Sequence, residues 1–406
     1  MPFDRSGAWL LLFSAALAVC AAGDRPEAVQ LTRFQEKVRQ DLAQVPSYTC
    51  LETIKREDRR SASHTFAPVD TVRIEVSSVG GKEIYAWPGA RQFEDKDLTA
   101  FIARGASAAG LFVSVMPNDL FVDRKGSLEY RGDEDLDGRR AVRYDYRIPQ
   151  FSSGLKLHIG DVLAVVASKG SFWFDPTSAD LIRLDTYGDD MPPTLDLREA
   201  MLSVRSARAR IGNADALLPQ QGEMTLTHFS GAASRNTIEF AQCRAYQTES
   251  NISFEEPPAP GLPQPGVHEV RLPAGLLVPV ILETAIDSAT VALGDPLRAR
   301  VRQDVRRDGK VAIPAGAVVS GRIRRLERST AGIPYFVVGV ELFEVTWENT
   351  RADFYGELVE GDVKKGMTAG FGTRGSVTYI LQGKGFHIAP GLGLLWRVLD
   401  RPRDPG

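Results

Sequence analysis

The sequence predicts a mainly β protein, in which a half-open antiparallel sheet with one long N-terminal helix precedes a separate small β-barrel or sandwich domain. Three observations support this prediction. Apolar residues recur at helical spacing over one long run, residues 27–45. Two longer stretches, 48–255 and 269–400, alternate apolar and polar residues between turn signals. A proline-rich segment, 256–268, separates these two stretches.

The helix over 27–45 has a single apolar stripe with spacings of 3, 4, 4 and 3 residues. Charged residues of both signs fill its other face, which favours packing on a protein core over binding to a membrane surface. Pro46 ends the helix. The stripe consists of Leu31, Phe34, Val38, Leu42 and Val45.

The first stretch reads as one curved antiparallel sheet. Gly80-Gly81 marks a hairpin within 71–87, and Asp175-Pro176 opens the turn of another within 171–187. Within 139–148, apolar Val142, Tyr144, Tyr146 and Ile148 alternate with charged residues. Further strands are expected at 197–210, 223–229 and 235–246, with a short helix at 95–104. The Gly- and Ala-rich apolar segment 105–116 is a candidate lid over this sheet.

The chain divides at 256–268, where proline dominates. Proline cannot donate a hydrogen bond to a β ladder, so this segment is predicted to be an extended linker. It separates a first domain, 24–255, from a second domain, 269–406. In the second domain, short Val, Ile and Leu runs alternate with Gly and Pro-Ala-Gly turns, as in a small barrel or sandwich.

Composition bounds the class of protein. The 406 residues correspond to two or three domains at roughly 100–200 residues each. A hydrophobic content of 43% and a charged content of 25% exclude a disordered chain, a collagen-like fibre and a polytopic membrane protein. With 49 basic and 52 acidic residues the net charge is −3, which argues against a nucleic-acid partner.

Residues 1–23 have the pattern of a signal peptide. The apolar run 8–22 follows Arg5 and ends at small residues that offer a cleavage site. Its helical length of about 22 Å is short of the roughly 30 Å hydrocarbon core, so no transmembrane span is expected in the mature chain. A buried N-terminal helix is the alternative. The exported protein is expected in the periplasm or at the periphery of the outer membrane.

The three cysteines refine this picture. The segment ending at Cys20 is similar to a lipobox, although Val19 stands where a small residue is preferred, so lipidation of Cys20 is an alternative to ordinary cleavage. Either route leaves Cys50 and Cys243, and an even count in an oxidising compartment suggests one disulfide. Two buried free thiols are the alternative.

No catalytic motif is present, so no catalytic residue, cofactor or enzymatic activity is predicted. Gly370–Gly375 matches the dinucleotide-binding spacing, but a strand follows it at 377–381, which predicts a glycine-rich turn. A hydrolytic site assembled in space from scattered histidines is a remaining alternative. The histidines are His64, His158, His228, His268 and His387.

Asp133, Asp135 and Asp137 resemble the first half of a calcium loop. Tyr144 stands where the closing bidentate glutamate belongs, and strands are expected on both sides. A solvated β-turn at Asp137-Gly138 is therefore the alternative to a weak calcium site.

The sequence also predicts the positions of two further groups of side chains. Five arginines, at 298, 300, 302, 306 and 307, are predicted on the solvent side of one strand, with contact to anionic lipid or polysaccharide as the alternative. An aromatic cluster is predicted to lie mostly in the core, beside an apolar groove left where helices do not cover the concave sheet. The cluster comprises Tyr144, Tyr146, Phe151, Phe172, Trp173 and Phe174.

The first domain resembles the lipoprotein-carrier (LolA-like) fold in its long helix, its strand meander, the hairpin FWFDPTSADLIRLD (172–185) and the strand TIEFAQCRAY (237–246). In that family a half-open barrel holds acyl chains beneath covering helices. The chain is also similar to exported bacterial proteins with a PSYTCLETI-like start and a CRAY-like strand, which supports pairing Cys50 with Cys243.

The second domain resembles the C-terminal β-barrel of TrbI-type conjugal-transfer proteins over 272–325. It lacks that family's membrane helix and outer-membrane excursion, so the resemblance implies an envelope module and not membership of a secretion machine. The sequence thus predicts a non-enzymatic envelope protein. Its first domain binds an apolar ligand or lipidated partner, and its second domain binds envelope proteins. A purely structural envelope-assembly protein is the alternative, and an unrecognised hydrolase the third.

Overall fold

The computed structural model describes residues 26–79, 82–90, 92–94, 96, 98–101, 117–159, 162–246, 268–329, 332–362, 366–370 and 375–400. The predicted signal peptide, Cys20, the candidate lid and the body of the predicted linker lie outside these residues. The fold is mainly β with one long helix and open, curled sheets, as predicted. We call the described residues up to 246 the first region and those from 268 the second region.

The first region is built on a ten-stranded antiparallel sheet with strand order β3-β2-β1-β12-β11-β10-β9-β8-β5-β4. A separate hairpin, β6–β7, lies beside it. The elements are α1 (Pro26–Gln44), β1 (Tyr48–Arg59), β2 (Ala67–Val79), β3 (Lys82–Ala86), α2 (Leu98–Phe101), β4 (Ser127–Leu136), β5 (Arg139–Ile148), β6 (Lys156–Ile159), β7 (Val162–Val165), β8 (Ala167–Phe174), β9 (Leu181–Asp189), β10 (Leu197–Ile211), β11 (Ala214–His228) and β12 (Ala233–Ala245). Three short helical turns are also present in this region, at Asn118–Val122, Gln150–Ser152 and Pro193–Leu195.

The helix α1 covers one face of this sheet, which we call the inner face. Phe34 is fully buried and stacks on Phe174 and Phe172, with ring centroids 4.4 and 5.4 Å apart. Phe121 meets the same ring edge-on at 4.9 Å. The predicted apolar stripe thus packs on the sheet core, and the helix ends two residues before Pro46.

The inner face follows strand alternation. On β5, Val142, Tyr144, Tyr146 and Ile148 are all buried, as their period of two predicts. Phe151 is a correction to the predicted aromatic core: it is 91% exposed, because it lies on the helical turn after β5, where strand alternation no longer directs it inward.

Strand β11 begins at Ala214, nine residues before the predicted start at 223. Pro219 is unexpected within a strand, because proline removes a ladder hydrogen bond. The structure accommodates it at a register shift, where Arg205 faces Gln221 and Ser206 faces Pro219.

The second region holds another ten-stranded sheet, with the order β13-β21-β20-β19-β16-β14-β26-β22; β24 also pairs with β20 and β23. Short pairs β15–β25 and β17–β18 accompany it. The strands are β13 (His268–Arg271), β14 (Leu277–Leu282), β15 (Ile286–Asp287), β16 (Pro296–Val301), β17 (Val305–Arg307), β18 (Lys310–Ile313), β19 (Val318–Ser329), β20 (Tyr335–Trp347), β21 (Thr350–Asp353), β22 (Gly356–Gly361), β23 (Met367–Gly370), β24 (Ser376–Gln382), β25 (His387–Ile388) and β26 (Gly393–Val398).

The arginine-rich segment occupies two strands, which corrects the prediction of one. Arg298 and Arg300 lie on β16, and Arg306 and Arg307 lie on β17. Their side chains face solvent, as predicted, while Leu297, Ala299 and Val301 are buried. Glu283 pairs with two of these arginines, at 2.6 Å from Arg300 and 3.4 Å from Arg298.

The two regions meet along the part of β2 that extends beyond β3. Leu293 donates its backbone N–H to Thr71 at 2.7 Å and accepts one from Arg73 at 2.8 Å. The Arg73 guanidinium also pairs with Asp295 at 2.7 Å. The segment around Leu293 therefore satisfies backbone groups that an exposed strand edge would leave unpaired.

Candidate ligand-binding site

A cavity of about 320 Å³ lies between the C-terminal half of α1 and the inner face of the first sheet. This volume is at the lower end of the roughly 300–1,000 Å³ that is typical of small-molecule sites. The described residues that line it are Val38, Asp41, Leu42, Ala43, Val45, Pro46, Ser47, Tyr48, Ser78, Pro117, Asn118, Leu181, Leu184, Val204, Ser206, Leu217, Leu218 and Pro219.

The position of the cavity follows from two apolar clusters on the inner face. One contains Phe34, Val38 and Leu184, and the other contains Tyr48 and Val204. Leu184 and Val204 face each other across β9 and β10, yet they belong to different clusters. The cavity lies where these clusters adjoin, so its walls are mainly apolar, with several polar side chains among them, and come from α1 above and the sheet below.

Tyr48 forms a polar point in this apolar wall. The residue is 3% exposed, and its buried hydroxyl has no hydrogen-bond partner among the described residues. Burial, together with the nearby Glu83 carboxylate, raises the pKa of Tyr48 well above its ordinary value. The hydroxyl therefore stays protonated. It also lacks the hydrogen-bond partner that a buried tyrosine hydroxyl usually has.

Polar residues lie side by side across the sheet, from Tyr48 on β1 to the neighbouring strands β2 and β3. Ser78 on β2 lines the cavity. In the strand register it lies opposite Tyr48 of β1 on one side and opposite Glu83 of β3 on the other. Tyr85 donates its hydroxyl hydrogen to Glu83 at 2.6 Å. This arrangement places the Glu83 carboxylate near enough to the Tyr48 hydroxyl to raise its pKa.

Glu52 is a second acidic group on this face and lies two residues after Cys50 on β1. It is 5% exposed and lies opposite the apolar Ile74 and Phe240. Burial, reinforced by repulsion from Glu83, raises the pKa of Glu52 from 4.5 to about 8. Its carboxyl group is therefore mostly protonated at neutral pH.

An ion-pair network lies on the α1 side of the cavity. Asp41, the acidic residue of the lining, pairs with Lys37 at 2.7 Å and with Arg208 at 2.7 Å. Arg208 also pairs with Asp180 at 2.6 Å, and these hydrogen bonds to Asp180 and Asp41 raise the pKa of Arg208. Both cations at this end already have carboxylate partners, and the network fixes α1 to the sheet.

Cys50 and Cys243 form a disulfide that joins β1 to β12. This is the pairing predicted from the sequence, and the alternative of two free thiols does not hold. Cys50 is the next inward-facing residue after Tyr48, so the bond constrains the strand that carries the polar point.

The calcium candidate does not assemble. Asp133 accepts hydrogen bonds from Arg140, Asp135 accepts the Gly138 N–H at 2.6 Å, and Asp137 pairs with Arg205. Asp137 and Gly138 have positive φ angles of 58° and 82° and form the turn between β4 and β5. Among the described residues, no group of three potential ligands could hold a metal ion.

The remaining sequence candidates lie apart from the cavity. A strand, β24, follows the Gly370–Gly375 segment, as predicted. The strand β23, which ends at Gly370 and pairs antiparallel with β24, precedes it, and 371–374 lie outside the described residues. None of the histidines lines the cavity. His387 contacts Asp287 at 3.1 Å in the second region, and His64 contacts Ser61 at 2.7 Å in the first.

Sequence reasoning missed Tyr48, Glu52 and Glu83 as site residues. A signal was present for Glu52: alternation places it on the face of Tyr48, Cys50 and Ile54, where a charged residue is unexpected. Nothing in the sequence shows that Tyr48 lacks a partner, since this depends on which side chains meet across the sheet.

No model of a protein family matches this sequence, and no curated protein matches it. Among solved structures, the chain resembles a putative outer membrane lipoprotein-sorting protein domain from Vibrio parahaemolyticus, with a TM-score of 0.28 and 10% identity over 55% of this chain and 95% of that one. It also resembles a DUF1329 family protein from Desulfovibrio piger, with a TM-score of 0.28, 14% identity and the same coverage.

A longer alignment, over 88% of this chain and 93% of the other, is found with the MucA/MucB complex structure from Pseudomonas aeruginosa, at a TM-score of 0.19 and 14% identity. TM-scores of this size assign no function to this chain. The TrbI-type resemblance of the second region stays a prediction.

Proposed function

We propose that this chain is a non-enzymatic envelope protein that binds an apolar ligand, such as the acyl chain of a lipid or of a lipidated partner, in the cavity beneath α1. The mainly apolar cavity between two separate apolar clusters is the observation that carries this proposal. Burying an apolar chain there is favoured by roughly 25 cal/mol for each Å² of apolar surface removed from water.

The disulfide supports export. A bond between Cys50 and Cys243 persists in an oxidising compartment such as the periplasm, and it is rare in the cytosol. None of the helices in the described part of the chain combines the length and hydropathy that a membrane crossing needs. We therefore place the protein in the periplasm or at the periphery of the outer membrane, after removal of residues 1–23.

The second region, which we propose as an independent domain from residue 269 onward, binds envelope proteins in this scheme. Ile333 is 75% exposed, and Tyr335 and Ile380 lie near it on the paired strands β20 and β24, both more than one-third exposed. Exposed apolar side chains on neighbouring strands are typical of protein interaction sites. A double variant, Ile333→Ser with Ile380→Ser, should lose crosslinks to envelope proteins that the unmodified chain forms.

The ligand proposal is tested by uptake of an apolar fluorescent probe, 1-N-phenylnaphthylamine, by purified delipidated protein. Ser206 lies on the cavity wall, so Ser206→Trp should fill the space and lower probe affinity at least five-fold. Leu163→Trp is the matched control, because Leu163 is an exposed residue on β7 away from the cavity. Absence of uptake by the unmodified protein, or equal uptake by both variants, contradicts the proposal.

A further inference from the structure

The lining of the cavity carries a charge pattern that selects among amphiphiles. Among its described residues there is no Lys, Arg or His, and Asp41 is the charged side chain. The cations nearest to that end, Lys37 and Arg208, already pair with carboxylates. An anionic head group would therefore enter the cavity without a counterion, and its desolvation would be uncompensated.

Tyr48 gives the lining another polar group. Tyr48 lines the cavity, and its buried hydroxyl has no hydrogen-bond partner among the described residues. Its oxygen can accept a hydrogen bond and its hydrogen can donate one, but the nearby Glu83 carboxylate, which raises the pKa of Tyr48, repels an anionic acceptor at this position. A buried hydroxyl without a partner in the lining of a mainly apolar cavity is a position that a polar ligand group completes, because leaving the hydroxyl unpaired costs free energy.

We infer that the preferred ligand is a single-chain amphiphile whose polar group donates hydrogen bonds and carries no negative charge. Its chain lies between α1 and the pair Leu184 and Val204, and its polar group lies at Tyr48. A neutral hydroxyl head, as in an acylglycerol, donates to Tyr48. An ammonium head does the same and is also attracted by Glu83. This inference rests on the proposed apolar-ligand function and specifies its substrate class.

Three probes with the same twelve-carbon chain test the inference on the unmodified protein: dodecylammonium, monolauroylglycerol and laurate. At neutral pH and below the critical micelle concentration of each probe, we expect the first two to bind at least ten-fold more tightly than laurate. Displacement of 1-N-phenylnaphthylamine reports all three on one scale. Laurate binding as tightly as the other two would overturn the inference.

Two variants test which side chains cause the head-group preference. Tyr48→Phe should weaken monolauroylglycerol about five-fold and leave laurate unchanged, and Glu83→Gln should weaken dodecylammonium more than monolauroylglycerol. Tyr130→Phe and Glu57→Gln are matched controls on the outer parts of the sheet and should change neither. Equal weakening of all probes by Tyr48→Phe would also contradict the inference. Binding without head-group preference rejects the inference alone, whereas no binding of any probe, including the fluorescent one, rejects the proposed function.

Discussion

The inner faces of the two sheets are filled in different ways. In the second region, Trp396, Tyr379 and Phe354 belong to one continuous apolar cluster that joins β14 to β26. In the first region the buried side chains form two clusters, one around Phe34 and one around Ile74, and a cavity adjoins both. The first sheet also buries a carboxyl group, Glu52, on its apolar face.

This difference indicates a division of roles. Protein interiors normally pack as densely as organic crystals, so a continuous core stabilises a fold, whereas a lined cavity gives up contacts. A region that gives up contacts needs other stabilisation, and the first region has the disulfide and the Asp41–Arg208–Asp180 network. We expect perturbations to affect the two regions differently, and the following experiments measure that difference.

Removal of the disulfide should have the largest effect. Cys50 and Cys243 are 193 residues apart, and closing a loop of that length stabilises a fold by about 5 kcal/mol in the chain-entropy account. In a Cys50→Ser, Cys243→Ser variant, hydrogen exchange in β1 and β12 should accelerate strongly. Exchange in β19 and β20 serves as the internal control. Equal acceleration in both regions would show that the disulfide stabilises the whole chain and not the first region.

The pH dependence of stability should show the next largest effect. The folded pKa of Glu52 is raised from 4.5 to about 8, so the folded protein retains a proton that the unfolded chain releases. The stabilisation is therefore complete below about pH 4.5 and is lost as the pH rises through 8, at roughly 1 kcal/mol per pH unit. Among the described groups, Glu83 is the charged residue that adds to this shift.

Urea unfolding of the protein between pH 5 and pH 8 measures this loss. Glu52→Gln should flatten the profile and make the variant more stable than the unmodified protein at the alkaline end. Glu57→Gln is the matched control, because Glu57 lies on the same strand but is ion-paired with Arg235 at 2.6 Å. An unchanged slope in Glu52→Gln would show that other groups cause the dependence.

Much of the architecture was predictable because local patterns determine it. The period of two on β5 identifies its buried side chains, the stripe of α1 identifies Phe34 and Val38, and the turn at Asp175-Pro176 lies between β8 and β9. The disulfide followed from the cysteine count and from a resemblance. In each case a few neighbouring residues, or a simple count, carry the information.

The site was not predictable in the same way. A cavity is defined by which side chains fail to meet, and Leu184 and Val204 give no sequence signal that distinguishes them from other core residues. The early start of β11 was not predicted, because β11 runs through Pro219 only by a bulge in which β11 has one residue more than its partner β10. Both features depend on which residues of neighbouring strands meet, and this is not determined by the local sequence pattern.

A matched pair of leucines compares the two inner faces directly. Leu342 is 1% exposed in the continuous core, and Leu184 is 4% exposed at the cavity wall. Leu342→Ala should cost about 4 kcal/mol, near the upper part of the range for buried leucines, and Leu184→Ala about 2 kcal/mol because fewer atoms surround it. Chemical unfolding measures both, and equal costs would mean that the cavity wall is packed as tightly as the core.

The smallest expected effect lies at the junction of the two regions. Gly294 has a φ of +95°, and a Cβ there would lie 2.3 Å from the Arg73 carbonyl oxygen and 2.6 Å from the Trp87 ring. Gly294→Ala should therefore cost about 1–3 kcal/mol, through both backbone strain and displacement of the Leu293 segment from β2. Gly275→Ala is the control, because Gly275 has a similar φ of +88° but open space around it. If the junction couples the regions, exchange at Arg73 accelerates in Gly294→Ala alone; the same change in both variants would assign the cost to strain and leave the two cores independent.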